Sequence, residues 1–372
     1  ILGCHTSCVV WKTSMRRREQ NVTTSWADMD EDDQPQGCCR LSCCSWTFVV
    51  FLGILLLLIV SKDFENIALV PGFLIAPALV MYFAYWRHLR REIPLDLVVK
   101  NFAVGFVPGA VVVMLVEMVL TGLFFFVCFS EQIPVWFAQL SALAQAMGEG
   151  SLLPGQSLPP LNNSSSAVVS DDPLKQLEQT MGITVNRTPG FYIFIALLAY
   201  IVAAGTEESL KYCTPGCFGK CHSSPSPYVY LVCTLSCALG FSTVENIGYT
   251  LGGSAGEVPS FGEKMATAYS RAVIAIMAHG VCGGIVGVGL TRRHVLGENI
   301  GYLRIVTPSL FTHGTFDFLQ LLLASMAMDP GVQLALVIIV NALVLSAASV
   351  YLWRAVKKLG LGRREGGDRG GG

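Results

Sequence analysis

Charge is scarce in this sequence. Lysine, arginine, aspartate and glutamate make up 14% of its 372 residues, whereas soluble domains run near roughly a quarter. The two signs nearly cancel, with 25 basic and 26 acidic residues and a net charge of -1. No basic stripe and no nucleic-acid motif is present, so a nucleic-acid partner is excluded. Internal repeats, coiled-coil heptads and glycine-rich nucleotide loops are lacking too. The first apolar run is expected to be a signal anchor rather than a cleavable signal peptide, because about 45 mostly polar residues precede it, too many for the charged start of one. The first residue is Ile1 rather than methionine, so the chain is expected to be an incomplete gene model or a fragment.

What the sequence has instead is apolar length. Hydrophobic residues make up 52% and mean hydropathy is +0.55. A water-soluble fold of this size could not hide so much apolar surface; a bilayer removes the need. A spanning helix takes about 20 apolar residues. Eight windows meet that: Trp46–Val60 with its flanks, Ile67–Trp86, Phe102–Phe129, Phe191–Tyr212, Tyr228–Leu251, Ala266–Leu290, Ile300–Ala324 and Val332–Trp353. The expected fold class is all-α, a polytopic membrane bundle of about eight transmembrane helices. Spans one to three read as ordinary lipid-facing hydrophobe.

Loop charges orient the bundle. Arg16–Arg18, Arg87, Arg90, Arg91, Lys211, Lys220, Arg292, Arg293, Arg354, Lys357 and Lys358 fall on one side if eight spans are counted. Both termini are then cytosolic. The other side holds 130–190, with acceptor motifs at Asn162, Asn163 and Asn186, as a lumenal or extracellular loop would; Val135–Met147 within it could lie on the membrane surface. The expected organisation is a cytosolic cysteine-containing tail over 1–45 and a membrane domain over 46–354, with catalytic helices at 191–325. A disordered cytosolic tail follows over 355–372. A eukaryotic endomembrane or plasma membrane suits the acceptor motifs. Among 13 cysteines, Cys38, Cys39, Cys43 and Cys44 suit juxtamembrane acylation. Cys213, Cys217, Cys221 and His222 lack the paired spacing usual for zinc.

Chemistry concentrates in spans four to seven. Span four ends in Thr206-Glu207-Glu208-Ser209-Leu210-Lys211, where Glu207 and Lys211 share a face in the favourable order for a pair. Span five carries Phe241 and Glu245 on one face. Span six carries Arg271 and His279, eight residues apart and nearly on one face. Span seven carries His313 and Asp317, four apart. Each admits a plainer reading: a solvated helix-end pair, an interface glutamate, a histidine bonded to a neighbouring helix, a His–Asp structural pair. Together, left unpaired in lipid, the charged groups would cost on the order of 10 kcal/mol. They are therefore expected to face one another, a metal ion or trapped water. Histidine with carboxylate suits zinc, and a carboxylate beside polarised water suits hydrolysis. Gly280, Gly283, Gly284 and Gly287 form a small-residue pattern that admits close helix approach. The depths of Glu208 and Glu245 match if span five starts late, near Cys233.

The motifs Glu207-Glu208-x-x-Lys211, Phe241-x-x-x-Glu245, Arg271-x7-His279 and His313-x-x-x-Asp317, in this order over Gly205 to Phe318, resemble the PrsW family of membrane proteases. That family is distantly related to the CAAX prenyl endopeptidases, whose longer EExxxR and FxxxH motifs differ from those here. The resemblance implies an intramembrane endopeptidase acting on membrane proteins or membrane-tethered peptides. By it, Glu207 and Glu208 supply the base and its partner, and Glu245, His279 and His313 hold or polarise the water, through zinc as cofactor. Asp317 completes the metal-facing set by orienting His313, and Arg271 neutralises the cluster or binds the oxyanion. A metal-free mechanism needs only Glu207 or Glu208 with a histidine. Two other readings stay open: a proton- or ion-coupled transporter, against which the missing inverted repeat counts, and a non-catalytic scaffold.

Overall fold

Eight apolar segments become eight helices. The computed structural model describes residues 41–131, 189–217, 226–252, 259–326 and 328–359. These all fall in the unit that begins at Leu41. The helices are α1 (Cys43–Lys62), α2 (Phe64–Trp86), α3 (Leu95–Cys128), α4 (Pro189–Pro215), α5 (Val229–Leu251), α6 (Phe261–His294), α7 (Tyr302–Ala324) and α8 (Gly331–Lys358). All but α7 are long and apolar enough to cross a membrane. The protein is an integral, multi-pass, all-α membrane protein. α7 has the length and lacks the hydropathy, because Ser309, His313, Asp317 and Gln320 interrupt it.

Local sequence explains the irregularities. Asp63 and Asp329 accept backbone N–H groups at the starts of α2 and α8, and Ser260 with Glu263 closes a capping box at the start of α6. Widened π-helical turns occur at Tyr82–Trp86, Gly105–Gly109 and Leu198–Ala203. The second contains Pro108, whose missing N–H disrupts the regular ladder. α6 is interrupted at Ile274, between Phe261–Val273 and Ala275–His294. α8 continues past the expected Trp353 to Lys358.

α5 and α6 form the centre. In the apolar window of each, 78% of residues are buried, against 11% in α1 and α8 and 6% in α3. The outer helices turn large side chains outward, among them Leu57, Met114, Met118 and Leu343, which suits a lipid-facing wall. At one end Tyr85, Ile93, Val229, Leu290 and Ile300 pack together. At the other, Leu69, Phe73, Phe106, Ile247 and Ala268 do so.

Backbone contact at glycines sets the spacing. A Cβ on Gly105 would run into the Cys237 carbonyl oxygen, and one on Gly240 into that of Phe102, so α3 and α5 touch main chain to main chain. On α6, a Cβ on Gly283 would lie 2.7 Å from Ala238 Cβ, and one on Gly287 2.6 Å from Leu231 Cα. The expected glycine pattern thus serves two neighbours, since Gly284 faces Leu352 of α8.

Two expectations change, and others fall on residues that are not described. Span three is not merely lipid-facing, because Gly105 meets α5 and Glu117 turns inward. α5 does not start near Cys233 but at Val229. The segment 132–188 with its acceptor motifs and Val135–Met147, residues up to 40, Cys221 with His222, and the tail from 360 lie outside the described residues.

Overpacking at such contacts costs about 1–3 kcal/mol. Gly240→Ala and Gly105→Ala are expected to lower the thermal midpoint of detergent-purified protein. Gly122→Ala, with nothing within 4 Å of the new methyl, is expected to leave it unchanged.

Candidate active site within the helix bundle

The site begins with a lysine that has nowhere else to go. Lys211 on α4 has 0% exposure, and so does Glu208, one helical turn before it. The ammonium Nζ donates to Glu208 Oε1 at 2.5 Å. The expected Glu207–Lys211 pair is therefore replaced by Glu208–Lys211, and the solvated helix-end alternative is excluded by burial. Glu208 collects two further donors, both from α7. His313 Nδ1 lies 2.8 Å from Oε1, and the Ser309 hydroxyl donates to Oε2. Ser309 also lies 3.2 Å from the Cys282 carbonyl oxygen, tying α7 to α6.

Released from Lys211, Glu207 turns toward the two imidazoles. Its Oε2 lies 3.4 Å from His279 Nδ1 and 3.8 Å from His313 Nε2. This buried oxygen makes no hydrogen bond. The two rings sit edge to face with centroids 5.0 Å apart. Phe241 covers His279, with ring centroids 5.8 Å apart.

A second tier lies beyond. His279 Nε2 is 3.1 Å from Glu245 Oε2, and the other oxygen of Glu245 is 3.1 Å from Arg271. Arg271 stacks over the Tyr249 ring at 4.0 Å and keeps a buried Nε without a partner. Asp317 Oδ2 lies 3.3 Å from His313 Nε2. Glu208 rather than Asp317 thus holds the far nitrogen of His313. His279 also resolves the depth mismatch, because one imidazole spans from Glu207 on α4 to Glu245 on α5.

The hydrogen-bond pattern assigns ring protons. Lys211 has only protons to offer, so His279 Nδ1, 3.3 Å away, accepts and Nε2–H points at Glu245. Glu208 has only lone pairs to offer His313, so Nδ1 carries a proton; Nε2 faces the carboxylate oxygens of Asp317 and Glu207.

Glu207, His279 and His313 each present one ligand atom, all within 4.8 Å of one another. An unpaired buried carboxylate oxygen between two imidazoles is a donor set compatible with a divalent cation. His313 also has the carboxylate on its opposite nitrogen that metal-bound histidines commonly carry. Of the ligand candidates read from sequence, His279 and His313 join this group. Glu245 and Asp317 flank it and Glu207 enters it.

Glu207, Glu245, Arg271, His279, His313 and Asp317 border a cavity of about 730 Å³. Its other walls are largely apolar, with Met114, Leu198, Val202, Val244 and Phe316 among them. Sequence reasoning missed four contributors. Glu117 on α3 lines the cavity and accepts from Thr206 at 3.1 Å; a lone carboxylate inside an apolar run was the available signal. Ser309 lies one turn before His313 on the same face, which spacing alone could have found. Cys282 and Thr206 contribute a carbonyl and a hydroxyl, and no motif marks them.

Ser309→Ala would remove a buried donor to Glu208. It is expected to lower the unfolding free energy by about 1–3 kcal/mol, read by thermal or denaturant unfolding in mixed micelles. Thr312→Ala loses only a bond to Pro308 within its own helix and is expected to change stability by less than about 1 kcal/mol.

No curated protein and no solved structure matches the chain. The match that is found is to a family model, described as PrsW family intramembrane metalloprotease, over residues 173–346. That stretch carries Glu207, Glu208, Lys211, Glu245, Arg271, His279, Ser309, His313 and Asp317, every charged or imidazole side chain of the site except Glu117 of α3. The similarity to the PrsW family of intramembrane metalloproteases thus extends over residues 173–346 and takes in the centre of the site.

Proposed function

We propose that the protein is an intramembrane endopeptidase that hydrolyses peptide bonds in membrane proteins or membrane-tethered peptides. The observation that carries this reading is Glu207 Oε2, a buried carboxylate oxygen without a donor, between two imidazoles on the wall of an apolar-sided cavity. A structural salt bridge would have consumed that oxygen. A carrier or scaffold gains nothing specific from leaving it bare.

The adjacent glutamates divide the work. Glu208 is saturated by Lys211, Ser309 and His313, so it fixes the His313 ring and takes no proton from water. Glu207 has capacity left, since its Oε2 accepts no hydrogen bond and faces both imidazoles; Glu245 Oε2 is the other carboxylate oxygen of the cavity without one. Glu207 takes the proton of a water in the cavity as the water oxygen bonds to the carbonyl carbon of the substrate, and returns the proton to the leaving nitrogen as the C–N bond breaks. The free Nε–H of Arg271 is the donor for the negative charge that builds on the carbonyl oxygen. A divalent ion, zinc by donor chemistry, would be held by Glu207, His279 and His313. It would supply an acidified water and a polarised carbonyl. In that case Glu207 serves as ligand and Glu245, the next carboxylate in the cavity, takes the proton. Phe241 shields the His279 ring, and Glu245 and Asp317 hold the outer edges of the imidazoles.

The apolar walls suit a substrate helix or its unwound end presented from the bilayer. The Lys/Arg pattern supports cytosolic termini, and the motifs at Asn162, Asn163 and Asn186 support a eukaryotic endomembrane or plasma membrane. The domain division 1–45, 46–354 and 355–372 remains our proposal for the whole chain.

Purified protein reconstituted with a library of membrane-tethered peptides tests this. Wild type is expected to cleave. Glu207→Gln is isosteric and breaks no hydrogen bond of that oxygen, so it is expected to retain the wild-type thermal midpoint and lose about 10²–10⁴-fold in rate. Metal analysis with chelator treatment separates the two roles of Glu207: loss on chelation and recovery with zinc identify the ligand role. Undiminished cleavage by Glu207→Gln, or ion flux without any cleavage, contradicts the proposal.

A further inference from the structure

A second cavity, lined by different residues from the first, lies where α6 ends, α7 begins and α8 ends. Its volume is about 460 Å³. Four cations border it: Arg292 of α6, Arg304 of α7, and Arg354 and Lys358 of α8. One acid, Glu298, faces them, and it is committed. Arg292 Nε donates to Glu298 Oε1 at 3.0 Å, and this guanidinium holds the Glu298 carboxyl below its ordinary range. Arg304, Arg354 and Lys358 are exposed and make no ion pair among the described residues. With Arg292 they set four cations against the single carboxylate of Glu298, a net excess of three positive charges on the cavity rim.

The floor has the opposite character. Ile285, Val288 and Ile305 are buried apolar side chains of the cavity wall. Ile285 lies seven residues before Arg292 on one helix, about 10 Å deeper at ~1.5 Å per residue. A cationic rim over an apolar floor, open at a helix end, has the polarity profile of an amphiphile with an anionic head. Three unpaired cations match a doubly charged phosphomonoester better than a singly charged phosphodiester. The rim also lies on the arginine- and lysine-rich side of the bundle, the side that ordinarily meets anionic lipid.

We propose that this cavity binds an anionic phospholipid bearing a phosphomonoester headgroup, with Arg304, Arg354 and Lys358 on the phosphate and the start of an acyl chain against Ile285, Val288 and Ile305. The site does not depend on the peptidase reading and uses none of its side chains. It joins the ends of the helices that carry His279 and His313, so occupancy stabilises their packing by mass action.

The full chain, purified in neutral detergent, is titrated with phosphatidic acid, phosphatidylserine, phosphatidylcholine and inorganic phosphate. Retained lipid is read by native mass spectrometry and stability by thermal midpoint. Phosphatidic acid is expected to be retained at one molecule per chain and to raise the midpoint; phosphatidylcholine and millimolar phosphate are expected to do neither. Each surface cation contributes about 1 kcal/mol to anionic-lipid affinity, so Arg304→Gln/Arg354→Gln is expected to weaken binding about 30-fold. Arg304→Lys/Arg354→Lys, keeping the charges, is expected to restore most of it. Arg87→Gln/Arg91→Gln, on the same side and outside the cavity, is expected to bind as wild type. An equal loss in that control pair, equal retention of phosphatidylcholine, or a full midpoint rise with inorganic phosphate alone would overturn the proposal. If the glutamine pair has a lower midpoint than wild type before any lipid is added, the lysine pair decides: restored binding supports the site and absent binding overturns it.

Discussion

A lysine ammonium sealed in the centre of a membrane protein must be neutralised within reach of its own side chain. Lys211 meets that constraint through Glu208, one turn away on the same helix. The carboxylate in turn has lone pairs to satisfy, and α7 brings Ser309 and His313 to them. The position of α7 against α4 follows from this group. So does the freedom of Glu207, which is left facing two imidazoles because its neighbour absorbs the lysine. Removing one member of a buried pair costs about 3–5 kcal/mol, more than almost any single apolar contact in the bundle could offset.

Close packing makes the arrangement possible. Without a hydrophobic drive between helices in lipid, approach depends on small residues and polar contacts. Gly105 and Gly240 let α3 and α5 meet at the main chain, and Gly283 and Gly287 do the same for α6 against α5. Gly314 on α7 accommodates the Tyr200 ring of α4. The glycines hold α5 and α6 as a rigid centre, and the ionisable groups line one flank of that centre. Arg271, before the interruption at Ile274, and His279, after it, both reach Glu245.

Much of this was legible beforehand. Apolar windows in the sequence mark all eight helices, because the bilayer demands long apolar runs whatever the tertiary packing, although the polar residues of α7 keep it below the hydropathy of the other seven. Glu207, Glu208, Glu245, His279, His313 and Asp317 stand out because ionisable groups are costly in lipid. What sequence could not decide was partner choice. The i,i+4 rule favours Glu207 for Lys211, and tertiary contacts from Ser309 and His313 select Glu208 instead. Glu117 was passed over because the apolar residues around it face outward, which masks the one position that does not. The level of Glu245 was misjudged because an imidazole can bridge carboxylates at two depths, and no uniform count of spans contains that bridge.

A double-mutant cycle between Glu208 and Lys211 tests the central claim most directly. Unfolding free energies of wild type, Lys211→Met, Glu208→Met and the double variant would be measured in mixed micelles at one pH. Each single variant leaves an unpaired buried charge and is predicted to lose about 3–5 kcal/mol; the double variant is predicted to lose at least about 2 kcal/mol less than the sum. Additive losses, with a coupling below about 0.5 kcal/mol, would mean that the two groups do not meet in a buried pair, and the architecture of the site derived from that pair would not stand.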